Sequence, residues 1–243
     1  MSILLSEFLG CTFLLLFGAG VVANVVLDKT KGHNSGWMVI NFGWAMAVFI
    51  GIYVATSSGS HLNPAVSIAF ASMGRIAWSD LPQYLAGQFL GCFTGSVLAW
   101  FSYRQHMDNT IDADMKLATF CTAPAIRSSV QNVISEAVGT FALISGILFL
   151  PNSTTDLGHL NPLPVALLVL GIGLSLGGPT GYAINPARDL GPRIAHFILP
   201  IKGKRDSDWA YSWVPVIGPI IGAQLAVALY TYVNDGRLGI IPM

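Results

Sequence analysis

The sequence predicts an all-α membrane protein: six transmembrane helices plus two re-entrant half-helices, arranged as an inverted 3+3 repeat. Three observations predict it. Hydrophobic residues make up 53% of the 243 and charged residues only 10%, against about 25% charged in soluble domains. Six stretches are apolar enough, over roughly 20 residues, to cross a bilayer. One ordered set of features, Glu, then Asn-Pro-Ala, then Gly-x-x-x-Gly, occurs twice. A soluble protein with six buried helices would need surface charge that this chain lacks. Its net charge of zero gives no reason to expect a nucleic-acid partner.

The first span is the uncharged run Phe8 to Leu27. No Lys or Arg precedes it in "MSILLSEFLG", so it reads as a span and not as a cleaved signal. The second span lies within Gly32 to Ser60. Asn63-Pro64-Ala65 follows, and the apolar run behind it stops at Gly74-Arg75. A helix from Asn63 to Gly74 is about 18 Å long, roughly half of a 30 Å hydrocarbon core. It is therefore expected to be a half-helix. Leu81 to Tyr103 is the third span, and the polar stretch Arg104 to Arg127 is a linker. The fourth span, Ser128 to Leu150, is interrupted only by Glu136.

The tetrapeptide His61-Leu62-Asn63-Pro64 recurs as His159-Leu160-Asn161-Pro162. There a full-length apolar run follows, so Asn161 is expected to cap an ordinary fifth span with Pro162 in its first turn. Leu163 to Ala187 is uncharged throughout. Asn185-Pro186-Ala187 opens a second short segment, "PARDLGPRIAHF", whose three charges and internal Pro192 are expected to keep it off lipid. Ala210 to Asn234 is the sixth span. Cys11, Cys92 and Cys121 show no metal-ligand spacing, and the first two read as packing residues. Asn152-Ser153-Thr154 fits a glycosylation sequon, and His159 reads as a loop residue.

The repeat is visible in "SEFLGCTFLLLFG" from Ser6 and "SEAVGTFALISGI" from Ser135. Small-residue stripes follow in each half: Gly87, Gly91 and Gly95, then Gly218 and Gly222. Glycines four apart let helix backbones approach closely in a membrane. The chain thus divides as one domain over 1–243, with a first repeat over about 1–105, a linker over about 104–127 and a second repeat over about 128–243. Three spans is an odd number, so the second repeat enters from the opposite side. Inverted repeats place transport sites near the bilayer midplane.

Asn at the cap with Pro next is a strong helix start. The Asn oxygen accepts a first-turn N–H, and its NH₂ is expected to remain free to donate. Two such ends facing each other present two positive helix poles, each roughly half an elementary charge. A cation meets a barrier there, while a neutral hydroxyl-bearing molecule meets donors. The irregular loops ahead of the half-helices expose carbonyls, which is tolerated at this depth only beside a water-filled cavity. Arg188 stands in the first turn, where a cation opposes the helix dipole; five fixed donors and an added cation barrier are the functional reason for it. Asp189 suits the same turn, either solvated or paired with a loop cation that helps hold Arg188. Glu7 and Glu136 are expected to be scaffolding carboxylates that accept loop N–H groups, with interfacial placement as the alternative. His61 is expected to brace its loop.

With two Asn-Pro-Ala motifs, the paired Glu-x-x-Gly and "SGSHLNPAV", the chain resembles the aquaporin superfamily, the major intrinsic proteins, over nearly its whole length. "GYAINPARDLGPR", with Asp189 after the Arg, is similar to the aquaglyceroporin or glycerol-facilitator branch. The resemblance implies a homotetramer with one pore per protomer in the cell membrane, passing glycerol and water, with urea, dihydroxyacetone and lactic acid as further candidates, and no cofactor. It implies a narrow filter of Trp44, Gly173, Tyr182 and Arg188. Gly173 would leave room in the lumen, and the two aromatic rings would face the carbon edge of a polyol. It also implies pore-lining carbonyls at Gly59, Ser60, His61, Gly181, Tyr182 and Ala183.

The chain departs from the family pattern in three places. Tyr182 replaces the usual Phe and brings a hydroxyl that needs a partner. The stretch from Trp44 to Asn63 is one residue short. Family topology, with both termini in the cytoplasm, puts Lys29, Lys31, Arg104, Lys116, Arg127, Lys202, Lys204 and Arg205 outside and only Arg75 and Arg237 inside, against the positive-inside rule. The absence of long tails fits a bacterial protein. Three rivals remain: a strictly water-selective channel, which Gly173 and Asp189 oppose; a proton-coupled transporter, which would need a titratable relay from Glu7, Glu136 or His61; and an intramembrane enzyme, for which no nucleophile–base pair or metal cluster stands out.

Overall fold

The computed structural model describes residues 1–150 and 157–234. The sequon at Asn152 and the cytoplasmic cation assigned to Arg237 lie outside the described residues. The described residues form nine α-helices and no strand. In order they are α1 (Ile3–Val26), α2 (Trp37–Val54), α3 (Pro64–Ser72), α4 (Leu81–Asn109), α5 (Ala113–Ala118), α6 (Ser129–Phe149), α7 (Leu163–Leu176), α8 (Pro186–Ile198) and α9 (Val214–Asn234). Six are long and apolar enough to cross a membrane: α1, α2, α4, α6, α9, and α7 counted with the 3-10 turn Gly158–Leu160 ahead of it. Large apolar side chains such as Phe42, Phe101, Val130 and Leu225 point outward, as residues facing lipid do.

The inverted repeat appears in the packing. α1 packs along α4 and α6 packs along α9, while α2 of one half meets α7 of the other. The short helices cross over: α3 packs on α9, and α8 packs on α4. Each half therefore donates its half-helix to the wall of the other. The glycine stripes make the long pairings possible. A Cβ on Gly87, Gly91 or Gly95 would lie 2.3–2.6 Å from the carbonyls of Leu4, Phe8 and Thr12 in α1. In the second half a Cβ on Gly222 would lie 2.1 Å from the Ala137 carbonyl, and one on Gly218 2.6 Å from Glu136 Cβ. No residue with a side chain fits at such approaches.

The structure changes two of these expectations, for Asn161 and for α8, and adds detail to others. Asn161 does not cap the fifth span: its Oδ1 accepts from Leu157 N at 3.1 Å, back into the preceding turn, and Pro162 leads the helix. His159 Nδ1 lies 2.7 Å from Tyr53 Oη, tying that turn to the end of α2. The apolar run Leu163–Ala187 is not one helix. α7 ends at Leu176, and the chain returns to mid-molecule as irregular backbone before α8. The linker holds a short helix, α5, capped by Asp112, whose Oδ1 accepts from Asp114 N and Met115 N. Finally, α8 does turn one face outward. Ile194, Phe197 and Ile198 are exposed while Asp189 and Arg193 are wholly buried, so its charge is confined to the inner face.

Candidate functional site

The half-helices α3 and α8, of 9 and 13 residues, are about 14 and 20 Å long, and each starts at mid-molecule. Asn63 Oδ1 accepts from Ala65 N at 2.9 Å. Asn185 Oδ1 accepts from Ala187 N and Arg188 N at 3.0 and 3.1 Å. The two ends meet tip to tip. Asn63 Nδ2 donates to the Ile184 carbonyl and Asn185 Nδ2 donates to the Leu62 carbonyl, both at 2.8 Å. The amide groups are thus not free: each spends one N–H on the loop before the opposite Asn. An amide nitrogen carries two hydrogens, so one per Asn is left for a guest in the cavity that both residues line.

The loops ahead of the two Asn residues have the same backbone. Counting back from Asn63, Leu62, Ser60 and Gly59 have φ of 57°, 57° and 83°; counting back from Asn185, Ile184, Tyr182 and Gly181 have 44°, 39° and 77°. The residues between, His61 and Ala183, are not left-handed. Positive φ costs a non-glycine residue about 1–3 kcal/mol and persists only when its surroundings over-determine it. A buried carboxylate does so in each half. Glu7 accepts from His61 N at 3.0 Å and Leu62 N at 2.7 Å. Glu136 accepts from Ala183 N at 3.0 Å and Ile184 N at 2.8 Å. Each also takes a hydroxyl, from Ser58 and Thr180 respectively. Both carboxylates are 0% exposed, so neither is a solvated surface group.

A polar cluster that the sequence did not flag surrounds the first loop. Gln88 Nε2 donates to Glu7 Oε2 and Ser67 Oγ, both at 2.9 Å. His61 Nδ1 lies 3.0 Å from the same Ser67 Oγ, and its ring stacks on Tyr84 with centroids 4.3 Å apart. Tyr84 Oη donates to the Ser58 carbonyl. The only sequence signal for Gln88 was a polar residue inside an apolar span, next to the glycine that lets α4 reach α1.

The second loop is tied to the linker. Asp189 is neither solvated nor paired with a loop cation. Its Oδ1 takes Arg193 Nε and Nη2 at 2.9 and 2.7 Å, and its Oδ2 takes Thr122 N and Oγ1 at 2.7 Å. Arg193 is itself wholly buried and reaches the carbonyls of Thr122, Ser207 and Asp208. The i,i+4 spacing of Asp189 and Arg193 on a helix was the signal that could have revealed it. Arg188 is held separately: its Nη1 donates to the Phe120 carbonyl at 3.3 Å, and its guanidinium lies 4.3 Å from the Trp44 ring centroid.

A cavity of about 310 Å³ runs past these groups. Trp44, Tyr182 and Arg188 line it together with Gly59, Ser60, His61, Ala183 and both Asn residues, and Val48, Val66, Leu143 and Val169 supply an apolar wall. Trp44 fits because Gly18 faces it; a Cβ there would lie 2.3 Å from the indole. Gly181 and Gly173 do not line this cavity. The room that Gly173 leaves is not lumen: a Cβ on it would lie 2.0 Å from Asn41 Oδ1 and 2.8 Å from Tyr182 Cζ. The space is filled from behind.

Chemically, the cavity combines one apolar side, backbone carbonyls as acceptors, and donors from Arg188 and two amides at the positive ends of two helices. It suits an uncharged guest that has hydroxyls on one edge and carbon on the other.

The sequence pattern of the Major intrinsic protein family matches residues 1–230. The chain is 56% identical to the "Probable glycerol uptake facilitator protein" of Thermotoga maritima over 96% of its own length and 99% of the relative's. It is 49% identical to the "Glycerol uptake facilitator protein" of Streptococcus pneumoniae strain R6, over 95% and 99%. The X-ray structure of the aquaglyceroporin from Plasmodium falciparum superimposes with a TM-score of 0.86 at 31% identity, covering 98% of each chain.

Proposed function

This chain belongs to the major intrinsic protein family, and from that membership and the lumen's chemistry we propose that it is a passive channel conducting glycerol, water and other small uncharged solutes. The carrying observation is the reciprocal bonding of Asn63 and Asn185 across the two loops at 2.8 Å. It brings both positive helix ends to one point beside the cavity, where a neutral molecule is bound and a cation is repelled.

In this reading a glycerol molecule turns its carbon edge to Trp44 and Tyr182 and its hydroxyls to Arg188. It then passes its hydroxyls to the carbonyls of Gly59, Ser60, His61, Tyr182 and Ala183, and to the remaining N–H of each Asn. Pro64, Ala65, Pro186 and Ala187 shape the two tips, and Glu7, Glu136 and Asp189 hold the loops rather than touch the guest. Gly173 acts behind the lumen and Gly181 through its backbone turn. Urea, dihydroxyacetone and lactic acid fit the same neutral, hydroxyl- or amide-bearing class. The 243 residues act as one channel domain. We place it in the bacterial plasma membrane as a homotetramer with one pore per protomer and both termini in the cytoplasm.

Stopped-flow light scattering of proteoliposomes challenged with glycerol or sucrose, with and without a pH gradient, tests the reading. A channel passes glycerol and not sucrose, with a rate linear in concentration and indifferent to the gradient. Glycerol uptake that saturates and requires the gradient would establish the proton-coupled transporter instead.

A further inference from the structure

Two buried polar atoms beside the filter have no hydrogen-bond partner: Tyr182 Oη and Asn41 Oδ1. They face the same small space. From the place where a Gly173 Cβ would sit, Asn41 Oδ1 is 2.0 Å away and Tyr182 Oη 2.9 Å. Asn41 belongs to α2, is wholly buried, and lies three residues before Trp44. A polar side chain buried at membrane depth is costly unless it has a task.

The orientation of the Asn41 amide is fixed. Its Nδ2 donates to the Trp37 carbonyl at 2.8 Å, so its oxygen must be the end that faces the tyrosine. A hydroxyl donor and an amide acceptor therefore confront each other across the side of Gly173 that has no Cβ. Tyr182 is also held from the side by Trp37, edge-on at 6.0 Å between ring centroids, and by Gly177, whose added Cβ would lie 2.5 Å from Tyr182 Cδ1. Its backbone is in the left-handed region, φ 39°, so the main chain alone does not hold the ring in place.

We propose that Asn41 is a specificity-determining positioning residue: it accepts the Tyr182 hydroxyl behind the lumen wall, so that the passing solute meets only the tyrosine's apolar ring. Gly173 is then the residue that makes space for this pair. The hydroxyl is kept away from the guest, and the aperture between Trp44, Tyr182 and Arg188 is set from behind by α2. The proposal rests on Tyr182 being a filter residue.

A double-mutant cycle tests it, with glycerol and water permeability measured in the same proteoliposomes. Asn41→Val removes the acceptor and leaves the hydroxyl to turn toward the cavity that Tyr182 lines, so the glycerol-to-water ratio should fall by about threefold or more. Tyr182→Phe removes the hydroxyl and sets the background of the cycle, in which Asn41→Val should no longer lower the ratio. The double variant should recover the ratio lost in Asn41→Val. An unchanged ratio in Asn41→Val, or a double variant no better than it, overturns the proposal. A second measurement holds even where Asn41→Val does not fold. The ultraviolet resonance Raman difference between wild type and Tyr182→Phe isolates the Tyr182 ring bands. A donating hydroxyl supports the pair; an unbonded one overturns it. Wild-type vesicles that pass no glycerol would defeat the channel reading itself, while the Raman difference would still decide the pair.

Discussion

Arg188 occupies the first turn of α8, where its charge opposes the partial positive charge of the helix end. The fold supplies what local physics withholds. The Phe120 carbonyl accepts one guanidinium N–H, and the Trp44 ring lies under the cation at 4.3 Å; such a contact is worth about 0.5–2 kcal/mol depending on desolvation. The cation thereby becomes a fixed charge beside the cavity. Arg188→Val should therefore admit protons or small cations and leave glycerol flux in place. A pH-sensitive dye trapped in proteoliposomes measures the leak. A variant that folds yet passes neither protons nor glycerol would show that the role assigned to Arg188 is wrong. Not every residue of this site was legible in the chain. Arg188 and the two Asn-Pro-Ala motifs were, because each breaks or fulfils a local rule. Asn41 was not, and Gly173 was assigned space in the lumen that it does not give, because the meaning of both lies in a contact between α2, α7 and the loop before α8.

At the scale of elements, the short helices depend on loops that no local preference would build. Six residues in two loops share one pattern of positive φ, and one carboxylate per half satisfies the N–H groups of the two residues before each Asn. Glu136→Gln leaves one of those groups facing an amide NH₂ instead of an oxygen. Stranding a buried donor costs about 1–3 kcal/mol, so the variant should melt at lower temperature and conduct less glycerol. Melting of the detergent-solubilised protein, read with glycerol flux, checks this; an unchanged melting temperature would remove the scaffolding role. The half-helices could be read in the sequence because run length and the Asn-Pro start are both local. Their partners could not. Asn63 bonds a residue 121 positions away and Asp189 one 67 positions away, and neither distance leaves a trace in the spacing. Asn161 carries the same cap signal as Asn63, yet its oxygen is taken by the turn behind it. A cap motif supplies an acceptor without specifying which donor will use it.

For the whole molecule, composition alone gave six spans, and the doubled motif order gave their inverted pairing. The structure adds what the cations that family topology puts outside are bonded to. Lys29 bonds Asn109, Lys116 bonds the Lys202 carbonyl, Arg127 pairs with Asp208 and Arg205 with Asp114. Lys204 donates to the carbonyls of His196, Phe197 and Leu199 and so closes the C-terminal end of α8. In the proposed orientation these bonded charges hold the loops at the outer end of the molecule. A cysteine introduced at Lys202 should accordingly react with a membrane-impermeant thiol reagent in intact cells; protection until the cells are opened would reverse the orientation. In the proposed function the joined tips of α3 and α8 pass uncharged solutes and stop cations. The most direct measurement records glycerol entry and proton leak together in the same proteoliposomes. Rapid glycerol entry with a proton leak no greater than that of protein-free vesicles is the predicted result; a leak that rises in step with the glycerol flux would contradict it.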